Sequence, residues 1–174
     1  MIVGALAREL GTTDRTLRRL ADTGAIRSNS ARGGLRRAIA SEESYLRDHW
    51  ELLRSLRAAL RTEPRVTAAL LFGSTARGDD GPGSDVDLIV AVDGDPSLTQ
   101  RVRLSNRIAQ KTGRRVDLFI LADLLVEPER LGPILAEARP IVDRAHVWPR
   151  LQRLRRGLPP RARARPRSRK LTLR

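Results

Sequence analysis

The stretch LFGSTARGDDGPGSDVDLIV, residues 71–90, constrains this chain more than any other part of its sequence. It places a Gly-Ser pair, Gly73-Ser74, ten residues before two carboxylates spaced as Asp-x-Asp, Asp85 and Asp87. Side chains alternate along a strand, so residues at i and i+2 project from the same face. The apolar run that follows Asp87 predicts a buried strand. We therefore expect the two carboxylates to lie together at the start of this strand, where they can share divalent metal ions.

A third carboxylate has the same alternation, because Asp117 lies between apolar residues in the run RVDLFIL. Gly73-Ser74 follows the apolar strand VTAALLF and offers a phosphate close backbone approach and a hydroxyl donor. Arg77 can reach a phosphate oxygen from the same loop, and three carboxylates on one sheet face suffice for two magnesium ions. The alternative interpretation is that an Asp-x-Asp at a strand start is only a solvated strand end or a helix N-cap. The ordered combination of Gly-Ser, Asp-x-Asp and a later Asp favours a site.

The spacing of Gly-Ser, ten residues and Asp-x-Asp resembles the minimal nucleotidyltransferases of the DNA polymerase beta-type superfamily, and GSTARGDDGPGSDVDLIV is similar to their signature almost throughout. The resemblance covers about residues 66–144. The later segment AEARPIVDRAHVWPRL also looks like the ending of antitoxin-type members, a weaker resemblance.

This resemblance implies an α/β (α+β) nucleotidyltransferase fold, with a small mixed sheet flanked by helices, over residues 64–156. The implied reaction moves a nucleoside monophosphate, AMP from ATP, to a hydroxyl of a partner protein such as a HEPN-type toxin, or of an RNA such as tRNA. Another nucleoside triphosphate can take the place of ATP. The implied site has two Mg²⁺ ions on Asp85, Asp87 and Asp117, with Asp117 also on the side of the attacking hydroxyl, and Gly73, Ser74 and Arg77 around the triphosphate.

The net charge of +14 is concentrated at the two ends of the chain. Residues 1–40 have eight basic and three acidic residues, residues 150–174 have eleven basic and no acidic ones, and residues 41–149 carry a net charge of −2. This distribution indicates a polyanionic partner for the flanks. Residues 157–174 are predicted to be a basic disordered tail that either holds phosphates or only increases solubility.

The first flank, residues 1–40, predicts two short helices separated by Gly11 and Thr12 and followed by a basic hairpin at Gly33-Gly34. This order resembles the winged helix-turn-helix of MerR and excisionase proteins, in which the second helix enters the major groove of DNA. The alternative is a purely structural helical pair. On the DNA-binding interpretation, the contact residues are Thr13, Arg15, Arg18, Arg19, Arg32, Arg36 and Arg37.

Periodicity and turn signals predict three further elements around the Gly-Ser and Asp-x-Asp motifs. Residues 41–63 form a connecting helix with Ser41 as its cap, and Pro64 ends it. A crossover helix with Leu98, Val102, Ile108 and Ala109 on its apolar face joins the Asp85 strand to the Asp117 strand, as a parallel pair requires. A last strand lies at residues 141–142.

Composition excludes several classes of protein. There is no cysteine, and His49 and His146 have no ligand-like spacing, so disulfides and a zinc site are not expected. No apolar run approaches 20 residues, so we expect a cytoplasmic protein with no membrane span.

Two function classes remain: a nucleotidyltransferase that also binds DNA, as a toxin-antitoxin component, and a DNA-binding transcriptional regulator that uses the same fold as a sensor or scaffold. The connecting helix can also pack against its copy, so an oligomer is compatible with both.

Overall fold

The computed structural model describes residues 3–27 and 42–157. The helices of this part are α1 (Val3–Glu9), α2 (Asp14–Asp22), α3 (Glu43–Arg61), α4 (Gly73–Arg77), α5 (Leu98–Thr112), α6 (Leu121–Leu125), α7 (Pro128–Glu137) and α8 (Val147–Gly157). The strands are β1 (Val66–Phe72), β2 (Val86–Val92), β3 (Val116–Ile120) and β4 (Arg139–Asp143). In the described ranges, no helix combines the length and the apolar character needed to cross a membrane.

The four strands form one mixed sheet in the order β3-β2-β1-β4. Strands β2 and β3 are parallel, whereas β1 is antiparallel to both of its neighbours. The crossover between the parallel strands is α5, whose N-terminus is closed by a capping box between Ser97 and Gln100. The predicted mixed sheet, the crossover helix and the last strand are confirmed.

The sheet separates two apolar layers because alternate residues of each strand face opposite sides. Leu88 packs with Leu56 of α3 and Ile108 of α5 on one side. Ile89 packs with Leu131 of α7 on the other side, which α6 and α8 also cover. The Asp-x-Asp motif therefore lies at a strand that is buried on both faces.

The predicted apolar face of α5 is wrong in part. Leu98 and Val102 are 77% and 50% exposed, whereas Leu104 and Ile108 face the sheet. At 100° per residue, the first pair lies roughly a third of a turn away from the second pair around the helix. Leu98 and Val102 were grouped with Ile108 by their spacing, but only one stripe can face the sheet.

Helices α1 and α2 pack against the first half of α3, in a cluster that includes Leu6, Leu17 and Trp50. Thr13 is the N-cap of α2, and its hydroxyl accepts a hydrogen bond from the Thr16 backbone N–H. These helices agree with the predicted pair. Two parts of the chain lie outside the described residues: residues 28–41, with the predicted wing and its Arg32, Arg36 and Arg37, and residues 158–174 of the tail. The N-cap position of α3 is Glu42, whose side chain makes no capping hydrogen bond, so the predicted cap at Ser41 is wrong.

A buried ion pair ties the start of α3 to β4. Arg139 is 1% exposed, and its guanidinium donates two hydrogen bonds to the Glu42 carboxylate. The same guanidinium donates to the Ala76 carbonyl at 2.6 Å and to the Ala25 carbonyl at 3.2 Å. Arg139 thus joins the N-terminal helices, α3, α4 and the sheet through one side chain.

We expect Glu42→Ala to lower the free energy of unfolding by about 3–5 kcal/mol, because it leaves a buried guanidinium without its counter-charge. Denaturant unfolding followed by circular dichroism measures this loss. The control is Glu9→Ala, which removes the partner of Arg47 in an exposed ion pair and is expected to change stability little. Equal losses in the two variants would contradict the importance of the buried pair.

Candidate active site

The sheet brings two of the predicted carboxylates side by side. Asp87 of β2 and Asp117 of β3 are register partners on adjacent parallel strands. Asp85 directly precedes β2, and Val86 between Asp85 and Asp87 is fully buried in the opposite layer. The period-2 alternation therefore places all three carboxylates at one side of the β2–β3 edge, as the sequence predicts.

The carboxylates of the candidate site repel one another, and this repulsion affects the pKa of Asp87. Burial raises the pKa of Asp87, and the neighbouring carboxylates Asp117, Asp85 and Glu137 raise this pKa further, while Arg77 opposes them. A group of acids that disfavour one another's ionisation is a good receptor for a divalent cation, which removes the repulsion.

The carboxylates of the candidate site suit a magnesium ion that is completed by water and substrate better than a metal held by protein ligands alone. Among residues 3–27 and 42–157, no three His, Cys, Asp or Glu side chains are already arranged around a common metal position. Magnesium typically uses one or two carboxylates and completes its shell with water and substrate phosphates. Asp87 and Asp117 supply such a pair. Asp85 Oδ1 is buried and accepts no hydrogen bond within the described residues, although Nε of the exposed Arg115 lies 2.7 Å away. A metal ion would give this oxygen the partner that it lacks.

Gly73 has a steric role that the sequence alone does not reveal. It follows β1 with φ +71°, and a Cβ built there would lie 2.1 Å from Asp87 Oδ2. Phe72, the residue before it, is the register partner of Asp87. The close backbone approach predicted for a phosphate is thus also required by the carboxylate itself. Ser74 is half-buried in the first turn of α4, beside Gly73.

Glu137, the last residue of α7, joins this site and was missed by sequence reasoning. The Gly73 N–H donates to Glu137 Oε1 at 3.0 Å, and Arg77 Nη1 donates to Glu137 Oε2 at 2.8 Å. Together with a contact from Nε to Asp79, the Glu137 pair raises the pKa of Arg77. An acidic residue at a helix C-terminus interacts unfavourably with the helix dipole. The place of Glu137 at the end of a helix is the signal in the sequence that this carboxylate has a specific partner.

The loop before Asp85 is held by Asp80. Its carboxylate lies 2.6 Å from His49 Nε2 and accepts a hydrogen bond from Arg114 Nη1 at 2.9 Å. Burial opposes ionisation of Asp80, but these two hydrogen bonds outweigh it and lower the pKa of the carboxyl. Arg114 also donates to the Ser84 carbonyl at 2.7 Å, next to Asp85. His49 is buried and stacks on Tyr45, and its hydrogen bond to Asp80 also positions this loop.

The predicted DNA-contact residues of the described part lie on or beside α2. Thr13 is its N-cap, and Arg15, Arg18 and Arg19 are exposed on the side opposite the buried Leu17 and Ala21. None of them belongs to the elements that carry the three carboxylates of the candidate site.

A mixed four-stranded sheet with a helix-forming Gly-Ser turn after β1, an Asp-x-Asp at β2 and a register-matched Asp on β3 defines the nucleotidyltransferase class. The chain belongs to the polymerase beta nucleotidyltransferase family, whose model matches residues 54–145. It is therefore a nucleotidyltransferase.

Known relatives agree with this assignment. A Methanocaldococcus jannaschii protein named "Putative protein adenylyltransferase" is 34% identical over 71 residues, which are 40% of this chain and 71% of the relative. Two crystal structures share the fold at a TM-score of 0.51: a toxin-antitoxin with AMP-PNP, 18% identical, and a mutant of the toxin-antitoxin MntA-HpeT, 16% identical. Each similarity covers 59% of this chain and 82% of the other.

Proposed function

We propose that this chain transfers AMP from ATP to a hydroxyl group of a partner protein or RNA, with magnesium as the metal. The observation that carries the proposal is the register pair of Asp87 and Asp117 beside Gly73. The carboxylates provide a cation site, and the turn at residues 73–77 provides donors for phosphate oxygens. Both are needed to bind a nucleoside triphosphate.

The reaction is an in-line displacement at the α-phosphorus. The acceptor oxygen forms a new bond to the α-phosphorus, the bond from this phosphorus to the bridging oxygen of the β-phosphate breaks, and pyrophosphate leaves. Asp117 is exposed, so it can accept the proton of an incoming hydroxyl. Asp87 is held more deeply beside Gly73 and orients the nucleotide side of the site. Bound magnesium would neutralise charge on the phosphates and on the attacking and leaving oxygens.

The relatives favour an adenine nucleotide and a macromolecular acceptor. One carries protein adenylyltransferase in its name, and a structure with the same fold holds AMP-PNP in a toxin-antitoxin. We extend this to a toxin-antitoxin role for the present chain, with a HEPN-type toxin as the favoured acceptor and tRNA as the alternative.

The nucleotide preference can be tested with the purified chain, each of the four α-labelled nucleoside triphosphates, and candidate toxin or tRNA. The proposal predicts label on the acceptor with ATP and magnesium and none when magnesium is chelated. Labelling that is equal with all four nucleotides would contradict the preference for AMP, and labelling that persists in chelator would contradict the metal requirement.

Glu137 occupies donors that the triphosphate is proposed to use. Its carboxylate accepts from Gly73 and Arg77, so a bound phosphate must share or displace it. We expect Glu137→Gln to bind ATP more tightly by about 3- to 10-fold, because one negative charge near the phosphates is removed. Calorimetric titration in the absence of magnesium measures the affinity.

The matched control for Glu137→Gln is Glu129→Gln, an exposed acid on the same helix. It changes the net charge equally and should leave ATP affinity unchanged. Weaker ATP binding by Glu137→Gln would show that Glu137 serves to orient Arg77 rather than to compete with the phosphates.

A second function, DNA binding by residues 1–40, is supported by the exposed arginines of α2 opposite its apolar face. In this proposal the chain is both an enzyme and a DNA-binding component. In the alternative, a transcriptional regulator, the nucleotidyltransferase fold acts only as a sensor or scaffold. The two proposals are distinguished by an assay of nucleotide transfer, which only the enzyme that also binds DNA should show.

For the DNA proposal, we expect the double variant Arg15→Gln, Arg18→Gln to lose duplex binding by at least about tenfold, because lost phosphate and base-edge contacts each weaken the complex. Mobility shifts on a duplex from the upstream region of the coding sequence measure this loss. Arg153→Gln, an exposed arginine of α8, is the single-charge control. Unchanged binding by the double variant would place the DNA contact elsewhere, and nucleotide transfer should be equal in all three proteins.

A further inference from the structure

A recessed cavity of about 190 Å³ lies between the N-terminal helices, α3 and the sheet, away from the carboxylates of the active site. Its apolar wall includes Ile26, Trp50, Leu53 and Pro140. Because these residues come from three parts of the fold, anything bound there contacts the N-terminal region and β4 together.

Four arginines surround this apolar wall: Arg19 of α2 and Arg54, Arg57 and Arg61 of α3. The three on α3 follow one another at three- and four-residue intervals, so they lie on one stripe of the helix, together with Trp50. Among the described residues, no acidic side chain lines the cavity. Arg54 has a 3.5 Å contact with Glu51 on the exposed side of the helix.

Arg57 is the most buried of these cations. Burial lowers the pKa of its guanidinium, and repulsion from Arg61 and Arg19 lowers it further. The undescribed ranges 1–2, 28–41 and 158–174 contain no Asp or Glu, so no side-chain carboxylate from them can neutralise the group. Apart from the Glu51 contact of Arg54, the cavity thus concentrates positive charge at an apolar wall, and Arg57 and Arg61 form no ion pair with any described residue.

Trp50 belongs to the apolar wall of the cavity. The residue is 5% exposed, and its indole Nε1 is buried without a hydrogen-bond partner within the described part of the chain. Because this nitrogen has almost no accessible surface, a bound molecule would contact the ring of Trp50 rather than its N–H. The indole N–H signal still reports on binding, because a ring or a charge placed beside the indole changes its chemical shift.

We infer that this cavity binds a small organic anion, with a ring-sized apolar body against Trp50 and Leu53 and a carboxylate or phosphate group against Arg57 and Arg61. The volume supports a body of this size, since a cavity of about 150 Å³ can take up benzene. The recessed apolar wall favours a small molecule over a nucleic acid, whose backbone would follow exposed arginines. The inference is independent of the proposed transfer reaction.

The test follows the indole N–H signals of the ¹⁵N-labelled full chain during titration with phenyl phosphate. The chain has two tryptophans, and Trp148→Phe assigns the signal of Trp50. We expect a saturable shift of the Trp50 signal. Benzyl alcohol, which lacks the charge, and inorganic phosphate, which lacks the ring, should each bind at least about tenfold more weakly, because each keeps only half of the contacts.

Two variants locate the anion contact. Arg57→Gln should weaken phenyl phosphate binding by at least about tenfold, as expected for loss of a charge-assisted hydrogen bond. Arg61→Gln, at the exposed end of the stripe, should weaken it in the same direction without disturbing packing. Arg153→Gln removes the same charge on α8 and should have no effect.

Three results would overturn the inference. The first is the absence of a saturable Trp50 shift with phenyl phosphate. The second is equal weakening by Arg57→Gln, Arg61→Gln and Arg153→Gln, or equally tight binding of inorganic phosphate, which would indicate nonspecific attraction of anions. The third is a Trp50 shift produced by a DNA duplex but not by phenyl phosphate, which would identify the surface as a nucleic-acid contact.

Discussion

Replacing Asp87 by asparagine is expected to reduce nucleotidyl transfer on the order of 10³-fold. In the proposed mechanism Asp87 supplies a metal-ligand oxygen at the register position of Asp117, and losing such an oxygen removes several kcal/mol of charge stabilisation in the transition state. Single-turnover assays at saturating ATP and magnesium measure the effect. Asp93→Asn, at the opposite end of β2, is the control and should retain full activity, since Asp93 is exposed and distant from Asp117 along the strand.

Asp87→Asn should also be more stable than the wild type when metal is absent. Burial, Asp117, Asp85 and Glu137 raise the pKa of Asp87 above its ordinary value of 3.8, so its protonated form favours folding. This contribution is fully present below about pH 3.8 and is lost as the pH rises through the raised pKa of the folded protein. At pH 7 Asp87→Asn should therefore have the higher Tm, and magnesium should narrow the difference by stabilising only the wild type.

Both results together separate a metal ligand from a structural residue. A structural Asp87 would give a variant that loses activity and stability together. Full activity in Asp87→Asn would refute the assignment of this carboxylate to the reaction.

The second large effect is expected for Gly73→Ala. The new methyl group would lie 2.1 Å from Asp87 Oδ2, so the carboxylate must move, and φ +71° adds backbone strain of about 1 kcal/mol or more. We expect transfer to fall at least about 100-fold, since small displacements of a catalytic group have effects of this size. Activity and denaturant unfolding are measured on the same preparation.

Gly113→Ala is a closely matched control for Gly73→Ala. Gly113 has φ +69° at the end of α5, and a Cβ built there meets no atom within 4 Å. It carries the same backbone strain without the contact to Asp87. If the two variants lose activity equally, strain alone accounts for the loss, and the steric role of Gly73 at Asp87 is wrong.

The sequence predicted the part of the site that depends on local periodicity. Alternation fixed the faces of Asp85, Asp87 and Asp117, and the crossover helix between their strands required a parallel pair. A parallel pair with this crossover brings Asp87 next to Asp117 in register. These inferences need only the geometry of a strand and the connection rules of a sheet.

The contacts that depend on tertiary packing could not be predicted in this way. Glu137 lies 64 residues from Gly73, and its hydrogen bond to the Gly73 N–H exists only because α7 packs beside α4. The pair of Arg139 and Glu42 spans 97 residues, and neither side chain carries a motif. The prediction that Leu98 and Val102 lie on the buried face of α5 was wrong for a related reason, since spacing alone does not say which stripe of a helix meets the sheet.

Two arginines connect the N-terminal region to α4: Arg139, which donates to the carbonyls of Ala25 and Ala76, and Arg27. Arg27, just beyond α2, donates hydrogen bonds to the carbonyls of Ala76 in α4 and Glu137 in α7. Ala76 directly precedes Arg77, and Glu137 carries the carboxylate that accepts a hydrogen bond from the Gly73 N–H. Direct hydrogen bonds therefore link the residues that follow α2 to the two helices beside the proposed phosphate position.

The central claim is that this chain transfers the nucleotide itself, and the position of the label in ATP tests it most directly. The purified chain is incubated with magnesium, whole-cell extract and ATP labelled at either the α- or the γ-phosphate, with Asp87→Asn as the inactive control. Relative to extract alone, the account predicts that adding the chain marks a protein or RNA from α-labelled ATP, adds no label from γ-labelled ATP, and that Asp87→Asn adds no label from either. Added γ-labelling that depends on the chain, or α-labelling that is undiminished in Asp87→Asn, would contradict it.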